Sequence, residues 1–223
     1  MTDPALFSLP TVPPPGEKPS SYRRPRQKRA LATFGRLLDA AGTLLGEVGL
    51  EGISSNRICA RAGVTAPAFY RYFPDKHAIL EALADRLMER QNRGLEEWIA
   101  RQRGAGLEAC AEATVDLLRA TAAVSQAEPG AVWILRALRA SPRLTPIRLD
   151  SHAYVSERLA DLYQPFLPHV ARSVLVRRTR LAVEVAYAID EMLCENPQAS
   201  EAAFADADPM FRAMFHYPDY TRP

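Results

Sequence analysis

Residues 49–76 read GLEGISSNRICARAGVTAPAFYRYFPDK, and the fold turns on this stretch. Ser54 is a good helix N-cap, because its hydroxyl can accept from one of the first backbone N–H groups, which lack partners within a helix. A short helix from there through Ile58 and Cys59 to about Ala62 is stopped by Gly63, whose missing Cβ permits positive φ. The next helix starts at Thr65, tolerates Pro67 in its first turn, and reaches about Phe73. Pro74-Asp75 then supplies a turn and an N-cap for a long fourth helix carrying Ile79, Leu80, Leu83, Leu87, Trp98 and Ile99.

Upstream, Leu31, Phe34, Leu37, Leu38, Ala41, Leu44, Leu45 and Val48 follow the three-and-four spacing of one helical face, with Gly49 as the stop. Downstream of Gly104 and Gly106 the helical spacing continues. One face runs from Leu107 to Thr121 and stops at Pro129-Gly130, and the next holds Trp133 to Leu138 and stops at Ser141-Pro142. Thr145-Pro146 opens a helix to about Phe166. Another extends from Pro168 to just before Asn196-Pro197, and the last, from Ser200, holds Phe204, Phe211 and Phe215 with a possible break at Asp208-Pro209. No stretch alternates like a strand. The fold class is therefore all-α, with nine or ten helices: a three-helix unit over residues 26–76 and a helical remainder over 77–223.

The 223 residues carry a net charge of only +2, but the balance is uneven: Met1 to Lys76 carries +5 and the remainder −3. A basic amino-terminal third points to a polyanionic partner for that part alone. Three dispersed cysteines, an odd number, offer neither a disulfide framework nor a Cys-x-x-Cys site. There is no run long enough for a membrane span and no export signal, so a reduced, cytoplasmic protein with no membrane partner is expected. Residues 1–25 are proline-rich, including Pro13-Pro14-Pro15-Gly16, and read as a disordered tail dispensable for folding. The tail runs into the basic tract Tyr22 to Arg29, where Arg26 and Lys28 are candidate DNA contacts.

Two short helices joined by Ala62-Gly63-Val64-Thr65 have the pattern of a helix-turn-helix, whose second helix enters the major groove. The run from Gly49 to Lys76 closely resembles the signature of the TetR family of bacterial transcriptional regulators. The resemblance is strong from about Arg29 to Leu87, and beyond that covers only the all-helical layout. It implies a three-helix DNA-binding domain, a variable helical domain for a small-molecule effector, and a homodimer that reads a palindromic operator, most often as a repressor. Carried over by position, Tyr70 and Lys76 match phosphate contacts, Thr65, Ala66, Ala68 and Arg71 lie in the recognition helix, and Ser55 and Arg57 lie in the helix flanking the groove.

The chemistry of these residues is consistent with those roles. Lys76 falls in the first turn of the fourth helix, where the dipole opposes a cation, so a nearby phosphate accounts for it better than helix stability does. Thr65 is expected both to cap its helix and to approach the DNA backbone. Three departures limit the transfer: Cys59 stands where the family often has alanine, Pro67 where glycine is frequent, and Ala66 and Ala68 offer only methyl groups, which can pack on thymine methyls. Readout would lean on Asn56, Arg57 and Arg71. Phe69, Tyr72 and Phe73 are expected to turn back into the core.

Other classes find less support. The four histidines have no metal-ligand spacing, and no nucleophile elbow or phosphate-cradling loop is present, so neither catalysis, a metal nor a cofactor is expected. Cys59 as a redox sensor competes with its reading as a small buried hydrophobe. A helical dimeric adaptor or small-molecule-binding protein without DNA binding is the alternative function. For an effector, Leu117, Leu118, Trp133, Ile134 and Val155 offer an apolar lining, with Thr114, Thr121, His152, Tyr163 and Tyr187 as polar anchors, a mix suited to a mostly apolar small molecule. The homodimer is expected to form through the helix from Pro168 to Glu195 and the last helix, with Leu181, Ala182, Val185, Ala186, Ile189 and the three phenylalanines at the contact.

Overall fold

The computed structural model describes residues 21–220, and all of the regular structure in that span is helical. The helices are α1 (Lys28–Gly52), α2 (Ser55–Ala62), α3 (Ala66–Tyr70), α4 (Lys76–Gln102), α5 (Leu107–Glu112), α6 (Thr114–Gln126), α7 (Ala131–Ala140), α8 (Thr145–Tyr163), α9 (Arg172–Glu195) and α10 (Ser200–Ala213). No described helix is long and apolar enough to cross a membrane.

Local chemistry sets the helix boundaries from α2 to α4. Ser54 caps α2 by accepting from the Arg57 N–H at 3.3 Å. Gly63 ends that helix at φ 62, the left-handed geometry that glycine enters without steric cost. Asp75 caps α4 by accepting from the Ala78 N–H at 2.8 Å. The stripe on α1 buries Phe34, Leu37, Leu38, Leu44 and Leu45 against Phe69, Phe73, Ile79 and Leu83. Phe34 stacks on Phe73 with ring centroids 5.0 Å apart.

A second core joins the far end of α4, through Leu95, Trp98 and Ile99, to α8 and α9. A third gathers Leu118, Ala122, Leu193, Phe204 and Phe211 from α6, α9 and α10. The first core reaches the carboxy-terminal part too, since it includes Ile134, Leu135 and Leu138 of α7 and Tyr187 of α9. Glycine permits the α1–α7 approach: a Cβ on Gly130 would lie 2.6 Å from the Gly42 carbonyl oxygen, and one on Gly42 2.8 Å from that of Pro129.

Several elements differ from the sequence reading. α1 does leave helical geometry at Gly49, but resumes to Gly52. α3 ends at Tyr70 and Arg71 and Tyr72 form a turn. The expected single face from Leu107 is two helices meeting at Ala113. α9 begins at Arg172, with a 3-10 turn at Gln164–Phe166 and the buried Leu167 and Val170 before it. α10 runs through Pro209 unbroken.

The tail boundary also changes. Residues 1–20 lie outside the described residues, but 21–24 strap onto α4. Ser21 donates its N–H and hydroxyl to the Glu81 carboxylate at 3.0 and 2.6 Å. The buried Tyr22 donates to Asp85 at 2.8 Å, and Arg24 pairs with Glu89 at 2.8 Å. The Arg23 N–H bonds the Tyr72 carbonyl at 2.9 Å. Tyr22 packs 6.0 Å from Phe34 and 6.1 Å from Phe73, centroid to centroid. A single aromatic ring among prolines and arginines makes no apolar stripe, so the sequence pattern does not mark its burial.

Candidate nucleic-acid interface and ligand cavity

The core aromatics of the helix-turn-helix force its other side chains outward. Phe69 and Phe73 are fully buried and Tyr72 nearly so, as expected. Their turn leaves Tyr70 54 % exposed beside the exposed Thr65, Ala66 and Arg71, while Ala68 and Lys76 are half-buried. On α2, Arg57 is exposed and Ser55 half-buried.

Thr65 departs from expectation. It occupies the N-cap position, yet its hydroxyl caps nothing; its carbonyl accepts from the Ala68 and Phe69 N–H groups instead. The side chain is therefore unspent on the exposed face. Arg57 donates to the Gly52 carbonyl at 2.7 Å, which steadies its guanidinium, and Arg61 is taken by a two-pronged pair with Glu47 at 2.8 and 2.6 Å.

Arg26 and Lys28 are exposed on the strap and the first turn of α1. Arg26 lines a shallow basic groove with Arg23, Arg24, Arg71 and Tyr72. Arg23 and Arg24 are thus additional cations brought to the end of the recognition helix by the strap, and the basic tract in the sequence was the signal for them. A surface of exposed guanidinium and hydroxyl donors at the second helix of a helix-turn-helix is suited to phosphates and base edges. The Cys59 thiol is pushed up by burial, away from the reactive thiolate form.

The second site is a cavity of about 130 Å³ enclosed by α4, α6, α8, α9, α10 and the segment after α10. Thr114, Leu118, Thr121, His152, Tyr163 and Tyr187 all line it, as do Leu117 and Val155. Trp133 and Ile134 do not. The Trp133 indole packs on Gly49, 3.2 Å from where a Cβ would stand, and Arg136 lies over its ring. Ile134 is buried in the first core. The rotation of α7 turns both toward α1 and the first core, which helical spacing alone does not specify.

Sequence reasoning missed the cavity's contributors from α4 and the polar ones of α9 other than Tyr187, among them Gln91, Asn92, Arg178, Thr179 and Asp190. Polar residues in mid-helix gave no signal without the neighbours that bury them. Ala182, Ala186, Phe211 and Phe215, expected at a dimer contact, line the cavity instead, and Phe204 is buried in the third core.

The cavity's polar groups form linked sets. Gln91 Nε2 donates to Ser125 Oγ at 2.8 Å and to Asp190 Oδ2 at 3.0 Å, and Ser125 Oγ donates to the same carboxylate oxygen at 2.7 Å. Burial pushes Asp190 up to about 6, against those hydrogen bonds. His152 Nδ1 lies 3.0 Å from Glu184 Oε1. Burial holds His152 down at about 4, so the imidazole is neutral at pH 7. Burial opposes the Glu184 charge, but His152 and Arg180 hold its carboxyl below the usual range. Next to these sets, the buried Glu128 accepts from Arg86 and, at 2.7 Å, from Arg90, both on α4. Among the described residues no group of three or more His, Cys, Asp or Glu side chains could hold a metal ion.

Comparison with known proteins agrees with this layout. Residues 37–83, from the first half of α1 through the first two turns of α4, match the family model described as "Bacterial regulatory proteins, tetR family". The chain is 30% identical over 144 residues to the HTH-type transcriptional repressor DrrR1 of Streptomyces coeruleorubidus, covering 64% of this chain and 48% of that protein. It is 44% identical over 45 residues to the class C tetracycline repressor of Escherichia coli, covering 20% of each. The chain thus spans about half the length of the first of these curated relatives and a fifth of the second. A solved TetR-family transcriptional regulator from Streptomyces coelicolor superposes with a TM-score of 0.53 at 25% identity, covering 82% of this chain and 97% of that one. Motif, helix order and these likenesses agree: residues 37–83 carry the signature of the TetR family of bacterial regulatory proteins, and the chain is similar to a TetR-family regulator over most of its length.

Proposed function

We propose that the protein is a ligand-responsive transcriptional regulator, a repressor, which binds a palindromic duplex site as a homodimer and releases it when a small, mostly apolar effector fills the cavity. The observation that carries this reading is α4. Its first residue is Lys76, beside the exposed face of α3, and its middle residues Gln91 and Asn92 line the cavity. A ligand that favours a displaced α4 thereby changes how the recognition helices are presented, and the coupling is reciprocal at equilibrium.

In this reading residues 26–76 are the DNA-binding domain and 77–223 the effector and dimerisation domain. Arg26, Lys28, Tyr70 and Lys76 take phosphates, Ser55 and Thr65 support them, and Arg57 and Arg71 reach base edges beside the methyls of Ala66 and Ala68. The dimer contact is supported by an outward stripe on α9, where Leu181 is 57 % and Met192 46 % exposed and Val185 and Ala188 lie between them. α10 adds the exposed Ala202, Ala205, Pro209, Met210 and Ala213. Small and apolar groups allow close helix approach in a four-helix contact. Two-fold symmetry would set the recognition helices about 34 to 36 Å apart or a multiple of that.

Selection of duplexes from a random pool, followed by footprinting and sedimentation, tests the reading. Two inverted half-sites protected by a dimer are expected. A monomer at micromolar concentration, or selected sites without two-fold symmetry, would overturn the dimeric operator.

A further inference from the structure

The cavity's own hydrogen bonding spends the hydroxyl donors of Thr114, Thr121 and Tyr187 and leaves two buried acceptors open, while among the charged donors Arg178 Nη1 is also open. Thr114 and Thr121 donate back to the Cys110 and Leu117 carbonyls at 2.8 and 2.9 Å, and Tyr187 donates to the Leu135 carbonyl at 3.1 Å. These hydroxyl protons are spent. At His152 the geometry fixes the tautomer: the Glu184 carboxylate can only accept, so Nδ1 carries the proton and Nε2 is a bare acceptor, with no partner. At Asp190 both donors converge on Oδ2 and leave Oδ1 without one. His152 is 3 % and Asp190 1 % exposed. Two acceptors that deeply buried are rarely left unpaired.

We propose that the cavity takes a compact apolar molecule bearing two hydrogen-bond donors, one set against His152 Nε2 and the other against Asp190 Oδ1. This rests on the reading of the cavity as the effector site, and adds the ligand's polarity to it. The donors are hydroxyl or ammonium groups; a carbonyl, ether or carboxylate set against either of these two atoms brings lone pairs to lone pairs and is disfavoured there, the open Arg178 Nη1 being the place for an acceptor. The volume matches a single ring, since a cavity of about 150 Å³ holds benzene. Asp190 has no cation beside it, so an ammonium at that end would meet an uncompensated carboxylate, while a hydroxyl suits the neutral imidazole.

Calorimetric titration of the full chain with single-ring probes tests this. The probes are p-xylene, 1,4-dimethoxybenzene, 3- and 4-(hydroxymethyl)phenol, and 3- and 4-(aminomethyl)phenol. At least one two-donor probe is expected to bind tenfold or more tighter than both p-xylene and 1,4-dimethoxybenzene, and comparison of alcohol with amine identifies the donor at Asp190. In Asp190→Asn the amide oxygen keeps the Ser125 and Gln91 bonds and turns an NH2 donor to the open side, so the advantage over dimethoxybenzene is expected to fall at least tenfold. If p-xylene and dimethoxybenzene bind as tightly as the two-donor probes, the cavity reading stands and the polarity assignment is overturned. If no probe binds, both fall. The ranking in the unaltered protein decides the matter even if the variant does not fold.

Discussion

Gln91 on α4 and Asp190 on α9 are joined by a hydrogen bond of 3.0 Å, and the same Gln91 nitrogen reaches Ser125 on α6. One amide thus ties the helix that starts at Lys76 to two walls of the cavity. About four turns of α4 separate this knot from Lys76. A ligand donor at Asp190 competes for the charge that holds Gln91.

Gln91→Leu should therefore uncouple the two sites. The tightest single-ring probe is expected to weaken binding to a selected duplex by a factor in the usual allosteric range, about 5- to 150-fold. In the variant that factor should shrink toward one while duplex affinity without probe changes little. Fluorescence anisotropy with and without probe measures it; an undiminished factor would remove this bond from the coupling route.

The same carboxylate makes a stability prediction. Asp190 titrates near 6 folded against about 3.8 unfolded, so its burial cost is absent below pH 3.8, grows as pH rises, and is complete above 6. Asp190→Asn removes that cost and keeps an acceptor for Ser125 and Gln91. The variant should be more stable than the parent at pH 7.5 by up to about 3 kcal/mol, with the gain vanishing toward pH 4. His152, which loses stability as pH falls from 6.5 to about 4, is present in both proteins and cancels. Urea unfolding at several pH values reads the difference, and a gain independent of pH would contradict the assignment.

At the amino terminus, Tyr22→Phe strands the half-buried Asp85 carboxyl, which burial already pushes up to about 6 and the Tyr22 hydroxyl pulls back. A loss of about 1–3 kcal/mol is expected. Tyr22→Ala also empties the space beside Phe34 and Phe73 and should cost about 3–5 kcal/mol. Thermal unfolding checks both, and unchanged stability would show that the strap is not part of the core.

How far the sequence reached follows from which features repeat. The stripe on α1, the Ser54 cap, the Gly63 stop and the Asp75 cap are local signals, and the structure has each where the periodicity and capping chemistry put it. Tyr22 is a lone aromatic in a proline-rich context, so nothing local marks its burial. The cavity was legible in part: helical spacing gave the faces of Thr114, Thr121, His152 and Tyr187, but assigned Trp133 wrongly because the rotation of α7 is set by contact with Gly42 and Gly49 on α1. Gln91 and Asp190 stayed invisible, as a polar side chain in mid-helix reads as solvated until its neighbours are known.

On the DNA face, Arg71→Ala should alter which duplexes are selected, with a change of about 1–3 kcal/mol at the affected base pair. Tyr70→Phe should weaken all duplexes alike by about 1 kcal/mol. Parallel selections with the two variants separate these outcomes. An unchanged selected site with Arg71→Ala would place readout on other side chains.

The most direct test of the central claim is the salt dependence of binding to a long duplex, which requires neither operator nor effector. The full chain should lose affinity steeply between about 50 and 200 mM salt as phosphate contacts release counterions, and Lys76→Ala should lower the slope of log affinity against log salt by about one. A flat dependence, or a slope indifferent to Lys76, would contradict DNA binding through this face and favour a helical adaptor or ligand-binding protein instead.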